Sequence, residues 1–313
     1  MNRLAIFSSP KPFTNPHIAI IQRNAIQSWK ALGNEVEVWL VGVEEGVAKA
    51  AKELEVGFIP EVLRNESGTP RIDSIFDTVR QHSEADLLCY VNADILLFPD
   101  ILEAALKVRE NFGRFLMIGR RWDAPVKEPL KIKHGWHEEF LIWARQAGKF
   151  HRAAGSDYFI FQRETFTAVP AFAVGRAGWD NWMIYHGRCE KMPVIDATET
   201  VTVVHQNHDF SHFSDGRIHR LQPESVDNLK LAGGRFAMFT IYDTDYALIS
   251  GVLQKIKMNR WKIVREISIF PAVTLKWKGL AKVFYFIFNI KLIHKQAKNA
   301  RRDKKLAEMK DKK

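Results

Sequence analysis

Cysteine is nearly absent: Cys89 and Cys189 are the only two in a chain of 313 residues. A disulfide framework and a zinc site built from thiolates are thereby excluded, and a reducing compartment suits the chain. Long apolar runs are also missing. The longest, Val283 to Ile290 with Asn289 allowed, has about eight residues, whereas a bilayer span needs roughly twenty. Residues 1–13 lack the apolar stretch of a secretory signal. No GxGxxG follows the first strand-like run, and no GxxxxGKS or GxxxxGKT occurs, so nicotinamide-type and P-loop phosphate binding lack their glycine signals. A cytoplasmic protein without a transmembrane helix is expected.

What is present describes a folded globular chain. It is 46% hydrophobic and 26% charged, which excludes a disordered or collagen-like polymer. The formal charge is +10, but it is unevenly placed. Residues 251–313 hold 18 basic and 4 acidic side chains, a net +14, so the first 250 residues are at −4. A nucleic-acid-binding surface spread over the whole fold does not fit that split, and no nucleic-acid partner is expected. The division suggests a domain over 1–250 and a basic, aromatic-rich helical extension over 251–313.

Along the first part, apolar periodicity alternates between strand and helix. Leu4 to Phe7, Val36 to Val41, Gly57 to Val62, Asp86 to Tyr90 and Phe115 to Gly119 read as strands. Between them, Asn15 to Leu32, Val47 to Leu54, Ile72 to Gln81 and Pro99 to Asn111 read as helices, the first opened by the cap pair Asn15-Pro16. Such alternation predicts an α/β fold with a mainly parallel sheet covered by helices on both faces. Ligands of these sheets gather at the carboxyl ends of the strands. Later strands are expected at Tyr158 to Phe161 and Val201 to Val204, and helices near His137 to Gln146 and Trp179 to Tyr185.

Three polar segments stand at expected strand or helix ends. Asn92-Ala93-Asp94 follows a buried strand, and a period of two would aim the Asn92 and Asp94 side chains the same way. Oxygen donors of this kind suit Mg²⁺ or Mn²⁺, although a polar strand end can simply turn to solvent. His205-Gln206-Asn207-His208, continuing to His212, could add an imidazole ligand to the same ion. A zinc site within this cluster competes, without the helical His-x-x-x-His spacing. Asp180, in Gly178-Trp179-Asp180-Asn181-Trp182, can cap a helix and also accept a proton. Weaker candidates are Arg71 and Asp73 for a phosphate and a ribose, Ser156 in Gly155-Ser156-Asp157, and Arg120-Arg121 for a diphosphate.

The order of these features, with Asn228-Leu229-Lys230-Leu231-Ala232-Gly233-Gly234 after them, resembles the GT-A fold glycosyltransferases of the family 2 type, over roughly residues 1 to 245. The resemblance implies a Rossmann-like sheet and transfer of a sugar from a nucleotide-diphosphate donor to a saccharide or lipid-linked acceptor, as in surface polysaccharide pathways. It places Mn²⁺ or Mg²⁺ on Asp94 with His205 or His208, the nucleotide near Ser8 and Ser9, and the catalytic base of inverting members on Asp180; Arg71, Asp73, Asn92 and Ser156 join Ser8 as the expected donor-binding residues. Asn92 stands where the family's first Asp usually does, which removes one carboxylate. A nucleotidyltransferase on a similar sheet is the alternative enzyme, and a basic-tailed membrane or nucleic-acid-binding protein the alternative without catalysis.

In the extension, Ile267 to Ile293 mixes Phe270, Trp277, Phe284, Tyr285, Phe286 and Phe288 with Lys276, Lys278, Lys282 and Lys291. Residues 267–313 could therefore lie on an anionic membrane surface at the inner face of the membrane. The alternative is a helix packed on the domain, followed by a solvated charge run.

Overall fold

The computed structural model describes residues 4–153, 156–208 and 222–290. The chain opens with β1 (Leu4–Ser8), α1 (Pro16–Lys30), β2 (Val36–Val41), α2 (Val47–Leu54), β3 (Gly57–Ile59), α3 (Ile72–His82) and β4 (Leu87–Val91). Next come β5 (Ile95–Leu96), α4 (Asp100–Asn111), β6 (Leu116–Ile118), β7 (Trp122–Ala124), α5 (Trp136–Ala147), β8 (Lys149–Phe150) and β9 (Tyr158–Gln162). The remainder is α6 (Trp179–Cys189), β10 (Val194–Asp196), β11 (Val204–Gln206), α7 (Pro223–Leu231), β12 (Tyr246–Ile249), β13 (Val252–Lys255) and α8 (Arg260–Val273). Two compact units result: Met1–Gly234 with Met238–Ile256, and Arg235–Ala237 with the chain from Lys257 onward. The β12–β13 hairpin thus keeps residues 251–256 with the first unit.

Among the described residues, the first unit holds a nine-stranded sheet in the order β13-β12-β10-β6-β9-β4-β1-β2-β3. Five neighbouring pairs are parallel, so the expected mainly parallel α/β sheet is what the chain forms. β9 runs antiparallel between β4 and β6, which alternation along the sequence does not reveal. Both β1 and β4 are buried at every residue, as continuous apolar runs covered on both faces should be. On one face, Phe76 of α3 packs edge-on to Phe7 at 5.4 Å and stacks on Phe161 at 5.3 Å. Burial of each such ring stabilises the fold by about 2–3 kcal/mol. On the opposite face, α1 buries Ile21, Ala25, Ile26 and Trp29 at the predicted helical spacing, and the Asn15 side chain caps it by accepting from the His17 and Ile18 amides.

Strand ends differ from expectation at three places. β3 stops at Ile59 instead of Val62. There Gly57 is required by close approach, since a Cβ would meet the Trp39 ring at 2.2 Å. β11 begins at Val204, not at the expected Val201. Most relevant to function, β4 ends at Val91 and the chain turns at residues 93–94, so the two-residue alternation does not reach Asp94. A second, four-stranded sheet in the order β5-β11-β7-β8 stands beside this turn. Its strands have two or three residues each, too few to show a period.

Candidate functional site

Backbone register assembles the site. β11 pairs antiparallel with β5, setting His205 opposite Ile95, and the Gln206 amide donates to the Asp94 carbonyl at 3.1 Å. On its other edge β11 runs parallel to β7, with His205 opposite Asp123. His205 therefore sits between two carboxylates because its strand sits between two strands. Antiparallel pairing of β7 with β8 places Asp123 opposite Lys149 and brings His151, just past β8, to the same place. In the large sheet, antiparallel β9 starts where β4 ends, so Asp157 lies beside Asn92. Helix α1 clamps the turn from below. Trp29 Nε1 donates to the Ile95 carbonyl at 2.8 Å, and Asn24 Nδ2 donates to Gln206 Oε1 at 3.0 Å. The buried Gln206 side chain in turn donates to the Ile21 carbonyl at 2.7 Å and the Asp94 carbonyl at 3.2 Å.

The side chains then meet. Asp94 Oδ2 lies 3.0 Å from His208 Nε2 and 3.6 Å from His205 Nε2. His205 Nδ1 is 3.2 Å from Asp123 Oδ1, within ion-pair distance but out of line for a hydrogen bond. His151 Nδ1 reaches Asp123 Oδ2 at 2.6 Å, and Arg121 Nε donates to Asp123 Oδ1 at 2.8 Å. The same guanidinium pairs with Asp157, which also accepts from Asn92 Nδ2 at 2.9 Å. Acids and bases alternate from His208 to Asp157, where Asn92 closes a partly buried network.

Burial raises the cost of charge on Asp94, yet the hydrogen bonds and charges of His205 and His208 hold it well below the usual carboxylate range. Burial likewise opposes ionisation of Asp123, and His205, Arg121 and His151 outweigh it, holding Asp123 below its ordinary value. For His205, burial favours the neutral ring, but Asp123 and Asp94 raise it to about 9. The imidazole is thus protonated between its two carboxylates until something displaces the proton.

A cation fits here. One carboxylate oxygen and one nitrogen from each of His205 and His208 lie within 4.8 Å of one another. Asp94 Oδ1 is buried without a hydrogen-bond partner among the described residues, a costly state for a carboxylate oxygen that a cation would relieve. Two imidazoles with one carboxylate favour a transition ion such as Mn²⁺ over Mg²⁺, which prefers oxygen ligands and keeps its waters.

The other expected residues are distributed around this centre. Asn92 lies just past the end of β4, before the turn at 93–94, and donates to Asp157. Ser8 closes β1 with its Oγ buried and without a hydrogen-bond partner among the described residues, and Ser156 Oγ is in the same condition before β9. Buried hydroxyls of this kind at a sheet edge suit a polar ligand. Arg71 and Asp73 bond to each other, at 3.2 and 2.5 Å, at the start of α3, and not to the Asp94 group. Arg120 donates to the His151 carbonyl and lies over the Phe150 ring, so of the expected Arg pair only Arg121 enters the network. Gly155, the stretch Asp209 to His212 and residues 291–313 lie outside the described residues.

Asp180 stands in the first turn of α6, behind the left-handed Gly178, whose amide donates to Asp180 Oδ1 at 3.2 Å. Trp179 seats this turn, packing on Tyr90 at 4.9 Å and Phe159 at 5.1 Å, at the ends of β4 and β9 where Asn92 and Asp157 stand. Burial pushes Asp180 up to about 6, against the Asn181 and Gly178 amides that favour its charge, and Asp157 adds repulsion. Trp182 stacks on His186 at 4.6 Å and packs on Phe172, so it is a core residue. Asp123 and His151 are members of the network that the sequence pattern does not single out. Their strands are too short for a pattern, and the only hint is an acid just after Arg120-Arg121.

No family model matches the chain, and no curated protein matches it. Solved structures of sugar transferases are similar to it. Glucosyl-3-phosphoglycerate synthase from Mycobacterium tuberculosis, in complex with Mg²⁺ and uridine diphosphate, is 14% identical, covering 75% of this chain and 80% of that one with a TM-score of 0.46. The mannosyltransferase PcManGT from Pyrobaculum calidifontis, in complex with GDP-Man and Mn²⁺, is 14% identical over 74% and 75%, with a TM-score of 0.43. S. aureus TarS 1–349, in complex with UDP-GlcNAc, is 10% identical over 74% and 65%, with a TM-score of 0.49.

Proposed function

We propose that the first unit is a GT-A-type glycosyltransferase that moves a sugar from a nucleotide-diphosphate donor to a hydroxyl of a saccharide or lipid-linked acceptor. The observation that carries this reading is the meeting of Asp94, His205 and His208, ligand atoms within 4.8 Å, at the carboxyl edge of a mainly parallel sheet with Asp180 seated over the same edge.

Asp94, His205 and His208 would hold Mn²⁺, or less favourably Mg²⁺. The ion would supply positive charge to the donor diphosphate, which leaves as an anion. To ligate, His205 must lose the proton that Asp94 and Asp123 hold on it, so binding releases a proton. Ser8 and Ser156 offer hydroxyls to the donor, and Asn92 braces Asp157 at its edge. Asp180 accepts the proton of the acceptor hydroxyl. The acceptor oxygen bonds to the anomeric carbon as the bond from that carbon to the diphosphate oxygen breaks, and its electron pair leaves with the diphosphate. A carboxyl raised to about 6 is ionised near neutrality and more basic than a solvated one, as this role needs.

The experiment is a panel of nucleotide sugars with Mn²⁺, scored by donor hydrolysis, which needs no acceptor, together with thermal protection by UDP and GDP. Hydrolysis of one donor and metal-dependent protection by its nucleotide are expected. A chain that neither hydrolyses nor is protected by any of them is not a glycosyltransferase.

A further inference from the structure

The second unit presents the wrong face of its helices to water. Helix α8 starts at the Asn259 cap, whose side chain accepts from the Lys262 amide at 2.9 Å, and a further helical stretch covers residues 278–290. Ser268, Ile269 and Ala272 of α8 line a common recess with Ala281, Tyr285 and Asn289, so these sides of the two helices face each other. On residues 278–290 the opposite side carries Val283, Phe286, Ile287 and Ile290, exposed by 52, 54, 57 and 42%. Their spacing of i, i+3, i+4 and i+7 is that of a stripe a soluble helix turns inward. Helix α8 repeats the pattern with exposed Ile263, Ile267 and Phe270, and Trp277, between the helices, is 61% exposed. Isolated exposed apolar groups need no explanation, but stripes at helical spacing on both helices do.

Charge identifies what would cover them. From residue 257 to 290 the sequence has seven basic side chains and one acid, Glu266, which is taken by Lys262 at 2.9 Å. Lys278 and Lys282 are exposed on the helical stretch 278–290, and Lys282 stands one turn before Phe286 at the border of the stripe. No described helix is long and apolar enough to cross a membrane. An apolar face bordered by lysines, with aromatic rings and almost no acid, matches a layer that is apolar inside and anionic at its surface.

We propose that α8 and residues 278–290 lie flat on an anionic lipid bilayer, with Val283, Phe286, Ile287 and Ile290 among the acyl chains and Lys278 and Lys282 at the headgroups. This surface is independent of the Asp94 centre and stands whatever reaction that centre performs.

The test is co-sedimentation of the full chain with phosphatidylcholine vesicles, with and without phosphatidylglycerol. Binding to the anionic vesicles alone, weakening with salt, is expected. Phe286→Glu with Ile287→Glu should abolish it while leaving the melting temperature unchanged, since both side chains are already exposed. Lys278→Gln with Lys282→Gln should weaken it by roughly thirtyfold, at about 1 kcal/mol per lysine. If the glutamate variant misfolds, the lysine variant still decides. The proposal is overturned if the full chain ignores anionic vesicles, or if either folded variant binds like the parent through the basic sequence beyond residue 290. It is also overturned if Ile287→Glu converts a dimer in solution to monomer, which would assign the face to a second copy.

Discussion

Asp94 Oδ2 and His208 Nε2 meet at 3.0 Å across 114 positions of sequence, and His205 Nε2 lies 3.6 Å from the same oxygen. The contact exists because the turn after β4 and the end of β11 are held to one another by backbone: the Gln206 amide donates to the Asp94 carbonyl. A carboxylate between two imidazoles has two uses, pairing them as cations or sharing a metal with them, and the same geometry serves both. This makes the centre sensitive to single substitutions that barely alter volume.

Asp94→Asn keeps the shape of the turn and removes the negative charge. Mn²⁺ binding, followed by calorimetry or by the paramagnetic resonance of the free ion, should fall below detection, and donor hydrolysis with it. Tight Mn²⁺ binding in this variant would show that the histidines ligate without Asp94.

Asp123→Asn leaves all three metal-facing residues in place but takes away the carboxylate 3.2 Å behind His205. A carboxylate behind a ligating imidazole orients the ring and raises its basicity, so Mn²⁺ affinity should fall by roughly ten- to a hundredfold. Excess Mn²⁺ should restore kcat. A purely structural role for Asp123 would instead lower the melting temperature and leave the affinity of the folded fraction intact.

Asp180→Asn should reduce kcat by roughly a hundred- to ten-thousandfold, the contribution of a general base, with nucleotide affinity little changed. In the parent, kcat should rise with pH through an apparent value near 6, where burial has placed the carboxyl. The variant should lose this acid limb. A limb that persists belongs to another group and removes Asp180 from the role.

Asp100, in the first turn of α4, accepts from the Thr202 amide at 2.9 Å through Oδ2 and keeps Oδ1 buried without a partner among the described residues. Burial raises it to about 6, so the folded state holds a proton that the unfolded chain loses at lower pH. Stability from this group is present in full below the unfolded value near 3.8 and is lost as pH rises through about 6. Asp100→Asn, which needs no proton, should exceed the parent by on the order of 2 kcal/mol above about pH 7 and match it near pH 3 in urea unfolding. Equal curves at both pH values would show that the carboxyl is solvated.

Several residues of the candidate site are legible in the amino-acid sequence, for identifiable reasons. Asp94 follows a run of five buried residues, Leu87 to Val91, whose continuous apolarity marks a covered parallel strand, and chemistry in such sheets collects at that end. His205 and His208 stand out as repeated imidazoles after a β-branched run. Asp180 is announced by a glycine before a helix. Period two carries no information about Asn92 and Asp94, because the strand's last residue is Val91 and the chain turns beyond it. Arg71 and Asp73 have the chemistry of ligand groups in the sequence, and in the fold they pair with each other at the start of α3.

The sequence alone determined the alternation of elements, the capping of α1 at Asn15, the helical face of Ile21, Ala25, Ile26 and Trp29, and the concentration of positive charge after residue 250. These are local properties: each follows from spacing or composition within a few turns of chain. Tertiary structure decided which polar groups share a site. Asp123 reaches His205, and His151 reaches Asp123, only because β11 inserts between β5 and β7 and β8 pairs beyond them, and strands of two or three residues carry no periodic signal of their own. The same holds for the stripe of Val283, Phe286, Ile287 and Ile290. Spacing marks it as one face of a helix, and only packing reveals that this face is left to the outside.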